Sequence, residues 1–167
     1  LLQGMVRCDT VTGLANGTYF SRQLAKELRR AMRTRRPLSL LVCDIEAFSA
    51  FNRTHGHEQG DQLLQQIGGL LGAQFQRAGD LAARLDGDRF AVVMPETPRE
   101  DADRLAARLV TGVREASIPH GAAAGEHVEL SVGIASVTSN KLLHPHQLLA
   151  EAAEALGARC PPLVCTN

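Results

Sequence analysis

The chain has 167 residues, 18 basic and 18 acidic side chains and 44% hydrophobic residues, so its formal net charge at pH 7 is zero. This length and composition predict one globular domain with a sizeable core and leave no room for a second folded domain. Balanced charge, one Tyr and no Trp argue against non-specific binding of DNA or RNA, which needs a clustered basic surface or stacking side chains. A compact anionic ligand is compatible with this composition.

The cysteines and the hydropathy pattern indicate a reducing, aqueous compartment. Cys8, Cys43, Cys160 and Cys165 have neither the CxxC spacing nor the paired histidines of a zinc site. We therefore expect reduced thiols rather than a disulfide framework. No apolar stretch reaches the length of a membrane span, and the first residues lack a basic segment followed by an apolar one. The sequence predicts a cytoplasmic domain without membrane contact of its own.

The first predicted element is an amphipathic helix. Phe20, Leu24, Leu28 and Met32 recur at helical spacing and define one apolar face. The rest of the helix is basic, and these side chains either form a solvated face with packed aliphatic stems or recruit an acidic partner. They are Arg22, Lys26, Arg29, Arg30 and Arg33.

A buried strand and a second helix come next. The short apolar run Leu38–Ile45 follows Pro37 and predicts a central strand that is covered on both faces. Residues 58–76 then show helical periodicity. Their predicted buried face consists of Leu63, Leu64, Ile67, Leu70, Leu71 and Phe75.

The remaining elements define the fold class. Strand-like segments 81–85 and 90–94 flank Asp86-Gly87, a dipeptide favoured in type I′ turns, and so predict a β-hairpin. A third helix, a strand over 128–137 and a helix over 146–158 follow. This order predicts an α+β fold, with a mixed central sheet covered by helices in a sandwich of the split βαβ kind. The third helix is defined by Ala102, Leu105, Ala106, Leu109 and Val113.

Carboxylates concentrate at two places in this predicted fold. Asp44 and Glu46 follow the buried strand, and Asp86 and Asp88 lie in the hairpin turn. Two acidic groups from different strands can hold a divalent metal on a phosphate, as in-line phosphoryl transfer requires. Acidic residues at strand ends and in turns are also commonly solvated or capping groups. Spacing alone leaves both interpretations open.

Longer motifs distinguish between them. They are Asp9-x-x-Thr12-Gly13-Leu14-x-Asn16-x-x-x-Phe20, Asp44-Ile45-x-x-Phe48-x-x-x-Asn52, Gly56-His57-x-x-Gly60-Asp61, Arg84-x-Asp86-Gly87-Asp88-Arg89-Phe90 and Ser131-Val132-Gly133-Ile134-Ala135. In order and spacing they resemble the successive motifs of GGDEF domains, the diguanylate cyclase family. The resemblance runs from Asp9 to about Arg159. It implies a palm-like, nucleotidyl-cyclase-like domain over residues 9–160, with a linker stub at 1–8 and a C-terminal tail at 161–167.

The resemblance also implies a reaction and a set of site residues. In this family two domains face each other, each with one GTP, and join the two nucleotides into cyclic-di-GMP. Carried over by position, Asn52 and Asp61 would bind the guanine, although capping of the neighbouring helices is the alternative role for both. Gly87 would allow close approach of the phosphates. The catalytic, Mg²⁺-holding groups would be Asp44, the Ile45 carbonyl and Asp88.

Several positions depart from the family pattern in this region. Asp86 replaces a glycine and Arg89 a glutamate of the signature hairpin, while Ser49 replaces a phosphate-facing lysine. Glu46 is longer than the usual second acid. Each change disfavours a metal-bound triphosphate, since it adds negative charge, removes a cation or places a fixed cation near the metal. We therefore expect a degenerate active site without efficient catalysis.

A second site is suggested by Arg77-x-x-Asp80, which is separated from Asp86 by residues 81–85. The resemblance implies that this is the family's inhibitory product site, completed by arginines such as Arg104 and Arg108 from a neighbouring domain. Arginine pairs bidentately with phosphate or guanine, and aspartate accepts from base N–H groups. In most proteins an RxxD pattern is only a surface ion pair.

Three functions are therefore kept as hypotheses. The first is a cyclic-di-GMP receptor that uses Arg77, Asp80 and one of the α-helical arginines. The second is a weak or partner-dependent diguanylate cyclase that uses Mg²⁺. The third is a GTP-binding regulatory domain without turnover. The expected partners are cyclic-di-GMP, GTP and a second domain, either a homodimer partner or part of a longer protein, and not nucleic acid.

Overall fold

The computed structural model describes residues 6–121, 126–138 and 143–157. Within these ranges five helices and four strands follow one another. None of these helices is both long and apolar enough to cross a membrane. The elements are α1 Gly17–Thr34, β1 Leu38–Ile45, α2 Phe48–His55, α3 His57–Gln74, β2 Leu81–Asp86, β3 Arg89–Pro95, α4 Arg99–Glu115, β4 Leu130–Val137 and α5 Pro145–Gly157.

The four strands form one sheet in the order β2-β3-β1-β4. All the ladders between these strands are antiparallel. One parallel contact joins the N-terminal segment to the edge strand, an isolated bridge between Ala15 and Ala83. The predicted α+β class is confirmed, and the predicted mixed sheet is, over the described strands, an antiparallel sheet with this single parallel bridge.

Helices cover both faces of the sheet, and β1 shows why its sequence is continuously apolar. Leu41, Cys43 and Ile45 point into the core formed with α2, α3 and α4. Leu40 and Val42 point to the opposite face, into the core formed with α1 and α5. Because successive side chains of a strand alternate between faces, a strand buried on both sides is apolar at most positions. The polar positions of β1 are Ser39, which is buried, and Asp44 near its end.

The helices differ from the predicted ones in three places. Met32 is 39% exposed, so it does not belong to the apolar face of α1; Ala31 is buried there instead. The predicted helix 58–76 ends at Gln74, because Phe75 leaves the helical conformation with φ −106° and ψ 78°. The short helix α2 was not predicted. It has eight residues and one buried side chain, Phe51, which gives too little periodicity to identify it.

The hairpin turn also differs from the prediction. The two residues between β2 and β3 are Gly87 and Asp88, not Asp86 and Gly87. Only Gly87 has a positive φ, 42°, whereas a type I′ turn needs positive φ at both central residues. A register irregularity between Arg84 and Asp86 marks a β-bulge. This bulge shifts the turn by one residue and places Asp86 in the ladder.

Candidate functional site

A row of polar side chains crosses one end of the sheet. In the register of the strands Asp86 lies opposite Arg89, and Arg89 lies opposite Asp44. Asp44 in turn lies opposite Ser131 on its other side. Directly opposed residues of antiparallel strands share a face, with Cβ atoms about 5 Å apart. The structure therefore brings the strand-end acid and the hairpin to the same end of the sheet.

Asp88 joins this row from the turn. One of its carboxylate oxygens accepts a hydrogen bond from the backbone N–H of Ile45 at 3.2 Å. Burial raises the pKa of Asp44, the neighbouring charges of Asp88 and Glu46 raise it further, and Arg89 opposes this effect. Asp44 is thus a half-buried carboxylate near two other acids, and the cation Arg89 lies opposite it on β3.

These donors only partly fit a magnesium site. Two converging carboxylates and a backbone carbonyl are the hard oxygen ligands that Mg²⁺ takes. Glu46 is drawn toward β4, where its Oε1 accepts from the Ser131 hydroxyl at 3.0 Å. Arg89 places a permanent positive charge opposite Asp44. No group of three or more His, Cys, Asp and Glu side chains is positioned for a metal within the described ranges. Arg89 and the Glu46–Ser131 hydrogen bond are thus the two features of this site that disfavour a metal ion.

Asn52 and Asp61 lie on two successive helices that meet at Gly56. Gly60, on the first turn of α3, is buried against the Asn52 side chain, and a Cβ at this position would collide with Asn52 Oδ1. That oxygen is buried and has no hydrogen-bond partner among the described residues. Asp61, the residue after Gly60, is exposed. A buried free acceptor next to an exposed carboxylate can receive the N–H groups of a planar base.

Arg77 and Asp80 form a compact loop between α3 and β2. The Asp80 side chain is 2% exposed, and its Oδ2 accepts from the Arg77 backbone N–H at 3.1 Å and from Arg77 Nε at 3.4 Å. Arg77 Nη2 also donates to Thr97 Oγ1 at 2.5 Å. Asp80 Oδ1 is buried with no partner in the part of the chain described. The guanidinium is thus held on two sides while half of the side chain remains exposed.

Arg104 and Arg108 lie on α4 and have different surroundings. Arg104 is highly exposed and forms an ion pair with Asp101 on its own helix. Arg108 is exposed at the rim of a groove of about 530 Å³ that Gln74 also lines. No hydrogen bond or ion pair between described residues joins either arginine to Arg77 or Asp80. Within one chain, the Arg77–Asp80 pair and the two arginines of α4 therefore do not form one site.

Sequence reasoning missed the contact that fixes the hairpin to the N-terminal motif. Arg84 Nη1 lies 3.2 Å from Asp9 Oδ1, and Arg84 Nε donates to the Gly87 carbonyl at 2.8 Å. Asp9 also accepts from the backbone N–H and the hydroxyl of Thr12, both at 2.8 Å. Burial by itself raises the pKa of Asp9, but the Thr12 hydrogen bonds and the Arg84 charge outweigh it and hold this pKa below its ordinary value. One indication of this contact was visible in the sequence, since Asp9 begins the first of the five motifs and Arg84 begins the fourth.

Comparisons with known proteins give a consistent result. The family model for the diguanylate cyclase GGDEF domain matches residues 6–159. Response regulator PleD of Caulobacter vibrioides is 36% identical over 149 residues, and diguanylate cyclase DosC of Escherichia coli is 31% identical over 151 residues. These matches cover 87% and 90% of this chain, which spans 32% of the length of each relative.

A solved structure shows the same fold. The GGDEF domain of DgcB from Caulobacter crescentus, crystallised in complex with c-di-GMP, matches with a TM-score of 0.83 at 24% identity. The match covers 92% of this chain and 89% of that one. The order of helices and strands described above is therefore that of an experimentally determined domain.

Proposed function

The chain belongs to the GGDEF domain family of diguanylate cyclases, and from this premise we propose that it binds cyclic-di-GMP at Arg77 and Asp80 without efficient turnover of GTP. Membership places the domain in cyclic-di-GMP signalling. The binding site and the weak catalysis are the proposal.

The observation that carries this proposal is the free oxygen of Asp80. Its Oδ1 is buried and has no donor among residues 6–121, 126–138 and 143–157, although an unpaired buried acceptor costs on the order of 1–3 kcal/mol. A guanine N–H would supply that donor. The Arg77 guanidinium, held by Asp80 and Thr97, is already oriented, so little side-chain entropy is lost when it pairs with a phosphate or a base edge.

The hairpin supports the second half of the proposal. Arg89 stands opposite Asp44, where the family resemblance implies a glutamate, and Asp86 adds a side chain and a negative charge beside it. Ser49 offers no cation to a triphosphate. Phosphoryl transfer depends almost entirely on positioning and charge neutralisation, so these three changes act on the same step.

Isothermal titration with cyclic-di-GMP tests the proposal. We expect wild-type protein to bind and Arg77→Ala to lose about tenfold or more in affinity, since hydrogen bonds to a charged group are worth about 1.5–3 kcal/mol. Arg30→Ala is a matched control, because Arg30 is also about half exposed and pairs with an acid three residues away, Glu27. Unchanged affinity in Arg77→Ala would contradict the proposal.

A second candidate function is the binding of GTP by Asn52 and Asp61. It is favoured by the Oδ1 of Asn52, which is buried and has no partner in the described part of the chain. Incubation with GTP and Mg²⁺, followed by chromatography, distinguishes binding from turnover. We expect GTP to remain intact. Steady formation of cyclic-di-GMP would instead identify a weak cyclase, and Arg77→Ala would then leave that activity unchanged or raise it by relieving product inhibition.

A further inference from the structure

The turn between β3 and α4 holds the guanidinium of Arg77 more closely than Asp80 does. Arg77 Nη2 donates to Thr97 Oγ1 at 2.5 Å, whereas Arg77 Nε lies 3.4 Å from Asp80 Oδ2. An N–H···O hydrogen bond usually measures about 2.7–3.2 Å, so the contact with Asp80 is the weaker one. Thr97 is therefore the main support of this guanidinium, although it lies outside the RxxD pattern.

The hydrogen bonds of the Thr97 hydroxyl are fixed in direction. An arginine side chain only donates, so the hydroxyl oxygen accepts from Arg77. The single hydrogen of the hydroxyl is then donated to the Pro95 carbonyl at 2.9 Å. This carbonyl thus turns the oxygen lone pairs toward Arg77, and a side chain without a hydroxyl would lose both contacts.

Thr97 is itself held in place by the sheet. It is fully buried, and its backbone carbonyl accepts from Ser39 Oγ at 2.8 Å. The Ser39 hydroxyl also lies 2.7 Å from Ser136 Oγ, which joins β1 to β4 at this point. On the other side the Arg77–Asp80 loop packs closely on the turn, because a Cβ at Gly79 would lie 3.1 Å from Pro95 Cγ. An arginine that is half exposed is thus anchored to the centre of the fold.

These contacts use one edge of the Arg77 guanidinium and leave another edge free. The Nε–Nη2 edge contacts Asp80 and Thr97. Nη1 forms no hydrogen bond with the residues that the structure describes, so Nη1 and the second N–H of Nη2 can still donate side by side. Two parallel donors pair bidentately with two phosphate oxygens or with O6 and N7 of guanine.

We infer that Thr97 is a positioning residue of the cyclic-di-GMP site, which fixes the Arg77 guanidinium so that its Nη1–Nη2 edge is presented to the ligand. Asp80 then serves mainly as an acceptor for the ligand through its buried Oδ1. The inference deepens the proposed function and rests on it. It predicts that the Thr97 hydroxyl affects ligand affinity and not only stability.

The test is titration of the full chain and its variants with cyclic-di-GMP. Thr97→Val keeps the shape of the side chain without its hydroxyl, and we expect it to lose about tenfold in affinity, since a hydrogen bond to a charged group is removed. Thr97→Ser keeps the hydroxyl and should bind within about twofold of wild type. If thermal unfolding shows that Thr97→Val does not fold, Thr97→Ala replaces it.

Ser39→Ala is the matched control. It removes another buried hydroxyl of the same network, so it should lower the melting temperature, but it leaves the contact between Thr97 and Arg77 in place. Its affinity should stay within about twofold of wild type. In the Arg77→Ala background, adding Thr97→Val should cost no further affinity, because the group that Thr97 positions is already absent.

The outcomes separate this inference from the proposed function. If Arg77→Ala loses affinity and Thr97→Val does not, the inference alone is overturned. The same holds if Ser39→Ala loses as much affinity as Thr97→Val, or if the losses of Arg77→Ala and Thr97→Val are additive. If wild type does not bind, or if Arg77→Ala binds as wild type does, the proposed function fails and the inference fails with it.

Discussion

At the scale of single residues, the side-chain oxygen of Asn52 is a buried acceptor whose role can be tested. It is buried without a donor among the described residues, while Gly60 provides the space that it needs. Unsatisfied buried acceptors reduce stability and are retained where a ligand satisfies them. The sequence motif identified this residue, but only the packing shows that its oxygen is free.

Replacing Asn52 by a side chain of similar shape separates these two effects. We expect Asn52→Leu to leave the free energy of unfolding unchanged or to raise it by up to about 1 kcal/mol, because an unsatisfied polar group is removed. GTP binding should be lost in the same variant. Urea denaturation and GTP titration measure the two quantities.

The control for this experiment is Asn16→Leu. Asn16 Oδ1 caps α1 through the Tyr19 N–H at 2.8 Å, so its loss should destabilise the fold by about 1 kcal/mol. A clear loss of stability in Asn52→Leu together with retained GTP affinity would mean that Asn52 is a structural group.

Arg89 and Asp86 mark the limit of prediction at this scale. Their departure from the family pattern was visible in the sequence. Their position opposite each other was not, because it depends on the β-bulge between Arg84 and Asp86, which moves the turn to Gly87 and Asp88. Turn chemistry favours more than one register for the residues Asp-Gly-Asp, and only the ladder decides between them.

At the scale of elements, the main connection is the one between the N-terminal turn and the hairpin. Asp9 closes the turn through Thr12 and contacts Arg84, and Arg84 reaches the Gly87 carbonyl. These groups are part-buried, so the ion pair is less screened than a surface pair. The geometry of the hairpin therefore depends on a turn that is distant in sequence.

The acid dependence of this connection can be predicted with its sign. The pKa of Asp9 is lowered in the folded state, so its carboxylate contributes stability above the ordinary pKa of about 3.9, and this contribution is lost as the pH falls through the lower, folded-state pKa. We expect Asp9→Asn to destabilise the protein by about 1–3 kcal/mol at pH 7. The difference from wild type should shrink steadily at acid pH, as measured by urea denaturation.

Asp103→Asn provides the comparison for this experiment. It removes one exposed carboxylate of the Arg99 ion pair, which is worth at most about 1 kcal/mol. If the loss of stability in Asp9→Asn had another cause than the charge, it would be expected at every pH. A loss that stays constant down to the most acid pH at which the protein folds would therefore contradict the prediction.

The helices and strands were predicted correctly where buried residues recur at regular intervals in the sequence. The long helices α1, α3 and α4, the strand β1 and the hairpin strands were all predicted, with ends shifted by a few residues. The short helix α2 was missed because a single buried residue, Phe51, gives no repeat. The beginning of β4 was placed two residues early, at 128, because Val128 is buried but lies outside the strand.

At the scale of the whole molecule, one sheet supports two cores. Leu40 and Leu41 are adjacent in β1 and fully buried, yet they belong to opposite faces. The continuous apolar run predicted this double burial. It could not predict which helices cover which face. The face that a helix covers depends on the side of the sheet on which the chain passes between strands, and here β1 pairs with β3 and β4 rather than with β2.

Truncation of these two leucines tests whether both layers unfold as one unit. We expect Leu40→Ala and Leu41→Ala each to destabilise the protein by about 2–5 kcal/mol, the range for buried leucines. Each should shift a single cooperative transition in urea, followed by circular dichroism and by the fluorescence of Tyr19. Two separated transitions in either variant would show that the layers are independent.

The length of β2 has one more consequence. Asp80 immediately precedes this strand and Asp86 ends it, so the proposed cyclic-di-GMP site and the hairpin turn lie about 20 Å apart at opposite ends of a six-residue strand, at about 3.3 Å per residue. A single dinucleotide bound at one end would leave the other accessible. If both proposals hold, GTP and cyclic-di-GMP would be bound at the same time, and the occupancy of the domain would depend on the concentrations of both nucleotides.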